Sequence, residues 1–150
     1  MAGAADTQVY MNGYYLDTVS QNSATYVSTE PFELTELNQN GYLAHNWLAG
    51  KLFYDLKIGD EVVIIRDGKH DRYSVTEILQ YQVLDNGNNI REYVNLSSGE
   101  WLTETQLFER AYKDGKTTYQ TCIKRGDNWS WGRLFLITSP SENVLSGTTK

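Results

Sequence analysis

Apolar and polar positions alternate along most of this chain in short runs separated by glycine, asparagine and aspartate, a pattern that predicts strands joined by tight turns. Glu61-Val62-Val63-Ile64-Ile65-Arg66 is continuously apolar between charged ends, which predicts a strand buried on both faces. It turns at Asp67-Gly68 into residues 72–79, where Tyr73, Val75 and Glu77 share one face and Ser74, Thr76 and Ile78 the other. A long antiparallel hairpin is expected there. Gln8-Val9-Tyr10-Met11 and Tyr14-Tyr15-Leu16 flank Asn12-Gly13, a hairpin dipeptide, and so short a hairpin is expected at a sheet edge. Tyr42-Leu43-Ala44-His45-Asn46 reads as a short apolar strand entering a polar loop.

One helix stands out against this background, at residues 103–113. Thr103 and Gln106 have capping-box spacing, Gly115 offers a stop, and Leu107, Phe108, Ala111 and Tyr112 recur at helical spacing to face a sheet. Turn clusters are expected at Ser97-Ser98-Gly99 and at residues 85–89, and the small, polar tail at residues 141–150 is expected to fray. The reading is of one mostly β domain over residues 1–150.

Composition supports that class: 40% of the 150 residues are hydrophobic and 13% aromatic, with eleven tyrosines and four tryptophans, a content suited to a packed, strand-rich domain. The net charge of -6 argues against nucleic acid as a partner, since phosphate binding requires a concentrated basic patch. Lys124-Arg125 is followed at once by Gly126-Asp127 and reads as a solvated loop. No apolar run approaches the ~20 residues of a spanning helix, and the opening residues lack the basic and apolar regions of a signal peptide. The chain as it stands is expected to be soluble. One cysteine and two histidines cannot build a structural zinc site, and no required cofactor is expected.

The candidate chemistry rests on that cysteine. Cys122 ends Thr118-Tyr119-Gln120-Thr121-Cys122 and precedes a strand in which Arg133, Phe135 and Ile137 alternate with Leu134 and Leu136. A lone cysteine on a strand is commonly a small buried hydrophobe. An arginine sharing a face with apolar side chains, however, is costly unless it is paired or functional. Of the two histidines, His45 ends an apolar strand, whereas His70 sits in the charged turn Asp67-Gly68-Lys69-His70-Asp71 and reads as solvated.

These strings, in this order, resemble the catalytic domain of the sortases. The family's Thr-Leu-x-Thr-Cys motif is matched by residues 118–122 with tyrosine in place of leucine, and its arginine strand by Gly132-Arg133-Leu134-Phe135-Leu136-Ile137-Thr138. Its histidine segment is matched by Ala44-His45-Asn46, Phe53-Tyr54-Asp55-Leu56 and Gly59-Asp60, with alanine where glycine is usual. Tyr73-Ser74-Val75-Thr76-Glu77-Ile78 is similar to the strand that usually follows. The resemblance covers roughly residues 41–140, and the first forty residues match poorly.

The resemblance implies a closed β-barrel with one or two short helices and a cysteine transpeptidase. Cys122 would be the nucleophile, His45 the proton donor and acceptor, and Arg133 the oxyanion stabiliser. Thr121 would donate near the oxyanion, and Trp101, Leu107 and Phe108 would line a peptide groove or simply cap the sheet. It further implies a protein sorting signal and an amine acceptor, a cell-wall precursor or a pilin lysine, as partners. The implied place is the outer face of the cell membrane, through an anchor not seen in this chain. Some sortases bind calcium through acidic groove residues; Glu77 and Asp85 read instead as solvated. A binding module that has lost its chemistry, and a cysteine hydrolase, are the alternatives.

Overall fold

The structure, a computed structural model, describes residues 7–23, 25–37, 40–85 and 90–141. Asn12 and Gly13 both take positive φ, 49° and 85°, as a two-residue hairpin turn demands and as these two residues tolerate. They join β1 (Thr7–Met11) to β2 (Tyr14–Ser20). The expected edge position is corrected: β1 pairs with β2 on one side and with β5 (Glu61–Arg66) on the other. The sheet closes on itself and leaves this hairpin no free edge.

The ring runs from β1 through β2, β3 (Glu33–Leu37), β4 (Gly41–Leu43), β9 (Thr117–Arg125), β10 (Asn128–Pro140) and β6 (Lys69–Asp85) to β5 and back, a barrel of eight strands. The pairings β2–β3 and β4–β9 are parallel and the others antiparallel. Inside pack Val9, Leu16, Tyr42, Val62, Tyr119 and Leu134 with their neighbours, all buried. Each large apolar side chain so buried contributes roughly 1.5–3 kcal/mol. A 3-10 helix, Ala49–Asp55, sends Leu52 and Phe53 into that interior, and Phe53 meets Tyr119 edge-on.

β6 is shared between two layers. It pairs with β5 through Lys69 to Ser74, with β10 from Tyr73 to Gln82, and with β7 (Arg91–Asn95) from Tyr81 to Asp85. A bulge interrupts the β10 register at Thr76. One extra residue reverses the alternation beyond it, which corrects the expected face pattern: Ile78 joins Tyr73 and Val75 against the barrel core. Leu79, Tyr81 and Val83 turn outward into a second core with Tyr93, Leu102, Leu107, Ala111 and Phe135. β7, β8 (Trp101–Thr103) and α1 (Glu104–Ala111) cover that second core.

Helix α1 begins where its cap dictates. The Thr103 hydroxyl accepts from Gln106 N, and the Gln106 side chain accepts from Thr103 N. It stops at Ala111, two residues earlier than the periodicity predicts, with Tyr112 already extended (φ -117°, ψ 93°). Of the four residues expected to face the sheet, Phe108 instead is 41% exposed. Of the turn expected at residues 85–89, Asp85 ends β6 and residues 86–89 lie outside the described residues. Residues 1–6 of the opening segment and 142–150 of the tail also lie outside them. No helix among the described residues is long and apolar enough to cross a membrane.

Candidate active site

Strand register sets two of the three candidate residues opposite each other and leaves the third just past the end of a neighbouring strand. In the parallel pair β4–β9, Leu43 lies opposite Gln120, and Ala44 N donates to Gln120 O to extend the ladder past the end of β4. His45 follows directly, where the chain leaves the strand for a turn in which its carbonyl accepts from Leu48 N and Gly50 N. On the other side of β9, Cys122 lies directly opposite Arg133 of β10. Side chains alternate across a strand: Tyr119 and Leu134 point into the barrel while Gln120, Cys122 and Arg133 share the outer face. His45, just past the end of β4, and Cys122 and Arg133 on the neighbouring strands β9 and β10 line one cleft of about 550 Å³ together with Arg91, Trp47 and Trp129.

The backbone of Cys122 is tied down by its neighbours. Its carbonyl accepts from Asn46 Nδ2 at 3.0 Å and from the Tyr54 hydroxyl at 2.5 Å, and Asn46 Nδ2 also donates to Trp129 O. Burial, and then the Cys122 sulfur, push the Tyr54 hydroxyl up to about 12, so it stays a donor through the physiological range. The Thr121 hydroxyl donates to Ala44 O at 2.6 Å. Gly50 packs so tightly here that a Cβ would sit 2.3 Å from Thr121 Oγ1 and 2.6 Å from His45 O. Gly132 plays the same part on the far side, where a Cβ would sit 2.5 Å from Tyr81 O.

The His45 imidazole stacks on the Trp47 indole, centroids 4.1 Å apart and 17° from parallel. Trp47 in turn meets Trp129 edge-on, and the Lys124 ammonium lies 4.0 Å over the Trp129 ring. Desolvation by this surrounding lowers the His45 pKa from its usual 6.5, which makes the neutral imidazole the resting form at pH 7. Arg133 is half-buried and donates through Nη1 to Ser130 O and Gly132 O. Cys122 is a half-buried free thiol.

The other expected site residues stand elsewhere. Thr121 is fully buried, and its hydroxyl bond to Ala44 holds the His45 segment against β9 instead of facing the cleft. Leu107 is 1% exposed in the second core, and Trp101 and Phe108 are exposed; none of the three lines the cleft. His70 is exposed near the start of β6. Sequence reasoning missed Trp47, Trp129 and Arg91, together with Gln21, Thr25 and Val27 from the β2–β3 connection, which also line the cleft. Only Trp47, two residues after His45, carried a local signal.

This barrel recurs in known structures. Sortase A from Corynebacterium diphtheriae (a lid mutant) superposes with a TM-score of 0.59 at 14% identity over 93% of this chain and 71% of the other. Sortase C1 from Streptococcus suis gives 0.59 at 16% identity, over 97% and 77%. The chain has the sortase fold. Sortase E1 from Streptomyces coelicolor, solved with a tripeptide in its active site, matches at 0.58 and 16% identity over 93% of this chain and 90% of the other. No protein-family model and no curated protein matches the chain by sequence. The sortase-fold alignments extend well beyond residues 41–140, so the first forty residues, which match poorly in sequence, include strands of the common barrel. Among the described residues no group of three or more His, Cys, Asp or Glu side chains is placed to hold a metal ion.

Proposed function

We propose that this protein is a sortase-like cysteine transpeptidase acting on a peptide sorting signal. The observation that carries the reading is that His45, which follows β4, lines one cleft with Cys122 and Arg133, which lie opposite each other on β9 and β10. Acyl transfer needs a nucleophile, a proton carrier and a stabiliser of the oxyanion, and these three side chains supply one each.

With His45 neutral at rest, its imidazole is ready to act as a base. His45 takes the Cys122 proton as the sulfur attacks the scissile carbonyl carbon. The C–O π pair moves to oxygen, and Arg133, whose charge is never lost, swings a guanidinium N–H toward that oxyanion. Collapse breaks the C–N bond, the leaving amine takes the proton from His45, and the acyl group remains on Cys122 as a thioester. An incoming amine gives its proton to His45 and attacks the thioester, and the Cys122 sulfur departs and recovers that proton. Donor and acceptor follow the family's pattern: a sorting signal, then the amine of a cell-wall precursor or of a pilin lysine, at the outer face of the membrane.

Intact-mass measurement after incubation with a panel of sorting-motif peptides tests this. The wild-type protein should gain an acyl adduct that triglycine clears with formation of ligated peptide, and Cys122→Ala should gain none while keeping its fold. Hydrolysed peptide alone would redirect the reading to a hydrolase. An adduct on Cys122→Ala would place the nucleophile elsewhere.

A further inference from the structure

A histidine that carries protons is ordinarily held by a hydrogen bond from one ring nitrogen to a carboxylate or a carbonyl, which fixes its tautomer and the plane of the ring. His45 has no such holder. Among the described residues no hydrogen bond or ion pair reaches its imidazole, and desolvation is the sole cause of its lowered pKa. The ring contact it does have is the face-to-face stack on Trp47, with centroids 4.1 Å apart and planes 17° from parallel. The indole stands where a hydrogen-bonding partner would otherwise orient the ring.

Trp47 is itself braced. It meets Trp129 of β10 edge-on at 5.4 Å and 79°, and the Lys124 ammonium of β9 caps the Trp129 ring at 4.0 Å. Asn46, between His45 and Trp47 in the chain, donates through Nδ2 to Trp129 O at 3.1 Å and to Cys122 O at 3.0 Å. His45, Trp47, Trp129 and Lys124 thus form a column from the turn after β4 to the β9–β10 hairpin. Trp47 and Trp129 are 47% and 45% exposed, so neither is there to fill a core. Stacking leaves both imidazole nitrogens unspent, and the electron-rich indole face attracts the ring more strongly once it is protonated. At rest desolvation outweighs that attraction, since the pKa is lowered. The titratable and charged groups facing His45 across the cleft are Cys122 of β9, Arg133 of β10 and Arg91 of β7. No carboxylate is among the described residues that line it, which leaves the Trp47 face as the support for an imidazolium.

We propose that Trp47 is the positioning residue of the site: its indole face holds the His45 imidazole in place for proton transfer, with both ring nitrogens available and Trp129 bracing the indole. The catalytic part of this role rests on the transpeptidase reading, in which His45 carries the proton. The hold on the ring is observable without any substrate.

Proton NMR of the whole protein tests the hold, with His70→Ala to assign the two histidines. A ring stacked on an indole feels its ring current, so the His45 signals should lie upfield in the wild type, remain shifted in Trp47→Phe and return to ordinary histidine positions in Trp47→Ala. Because Trp47 is half-exposed, these variants should fold, which their melting curves check. In acyl transfer, Trp47→Ala should lower kcat by about tenfold or more and change KM by less than about threefold. Trp47→Phe should restore most of kcat, and Trp129→Ala should fall between the two. The acid limb of kcat/KM should move up toward 6.5 in Trp47→Ala, as water reaches the ring. His45 signals unmoved by Trp47→Ala would overturn the proposal. So would an unchanged kcat, or a loss confined to KM, which would make Trp47 a wall of the cleft and nothing more. A wild-type protein without acyl transfer would sink the transpeptidase reading instead, and the NMR comparison would still decide whether Trp47 holds His45.

Discussion

Gly50 offers a test of the candidate site that adds one methyl group and alters none of the reacting groups. Gly50→Ala drives a Cβ into Thr121 Oγ1 and the carbonyls of His45 and Ala44, and overpacking of that kind costs about 1–3 kcal/mol. We expect a lower melting temperature and an acyl-transfer rate that falls further than the stability loss explains, measured at a temperature where the variant is folded. His45 makes its own prediction in pH. Because burial lowers its folded pKa below 6.5, the unfolded chain binds the proton more readily, and stability falls as pH drops from about 6.5 through the folded value. Thermal melts between pH 7.5 and 5 should show that slope, and His45→Gln should flatten it. For the same reason the acid limb of kcat/KM should lie below 6.5 in the wild type. His70→Ala, at an exposed position, should leave both profiles unchanged; a strong effect there would mean the wrong imidazole has been assigned.

Among the elements, those governed by local rules were legible. Glu61–Arg66 is the strand its apolar run predicts, Asp67-Gly68 is its turn, and the Thr103–Gln106 capping box starts α1. Removing that cap with Thr103→Ala should cost about 0.5–2 kcal/mol, measured by denaturant titration, and leave acyl transfer intact because α1 does not line the cleft. What was not legible depends on partners far away in sequence. The bulge at Thr76 is a mismatch between β6 and β10, and it alone decides that Ile78 faces inward. Likewise alternation places Cys122 and Arg133 on a face but says nothing of which strands are neighbours. Trp129 and Arg91 therefore could not be read as walls of the same cleft as His45.

At the scale of the whole molecule, the barrel separates two surfaces that the same pair of strands connects. His45 and Cys122 sit past one end of β4–β9, and Tyr42 with a cavity at Arg66 sits toward the other. The resemblance read from scattered motifs reached the architecture because those motifs mark the strands that carry the cleft. It did not reach the β2–β3 connection, whose parallel crossover brings Gln21, Thr25 and Val27 to the cleft without any residue pattern to announce it.

The closure of the ring by β10 against β6 also sets an order of events during synthesis. Residues 132–140 must pair with residues 73–82 made some sixty positions earlier, a contact whose loop entropy has to be met before it stabilises anything. Until β10 leaves the ribosome, β6 and β9 each lack their β10 partner along one edge, and such open edges invite pairing with other chains. A nascent chain halted before residue 128 would have every residue of the His45 segment and Cys122 itself, yet neither a closed barrel nor a cleft. Strand β10 thus completes the barrel and the cleft in the same step.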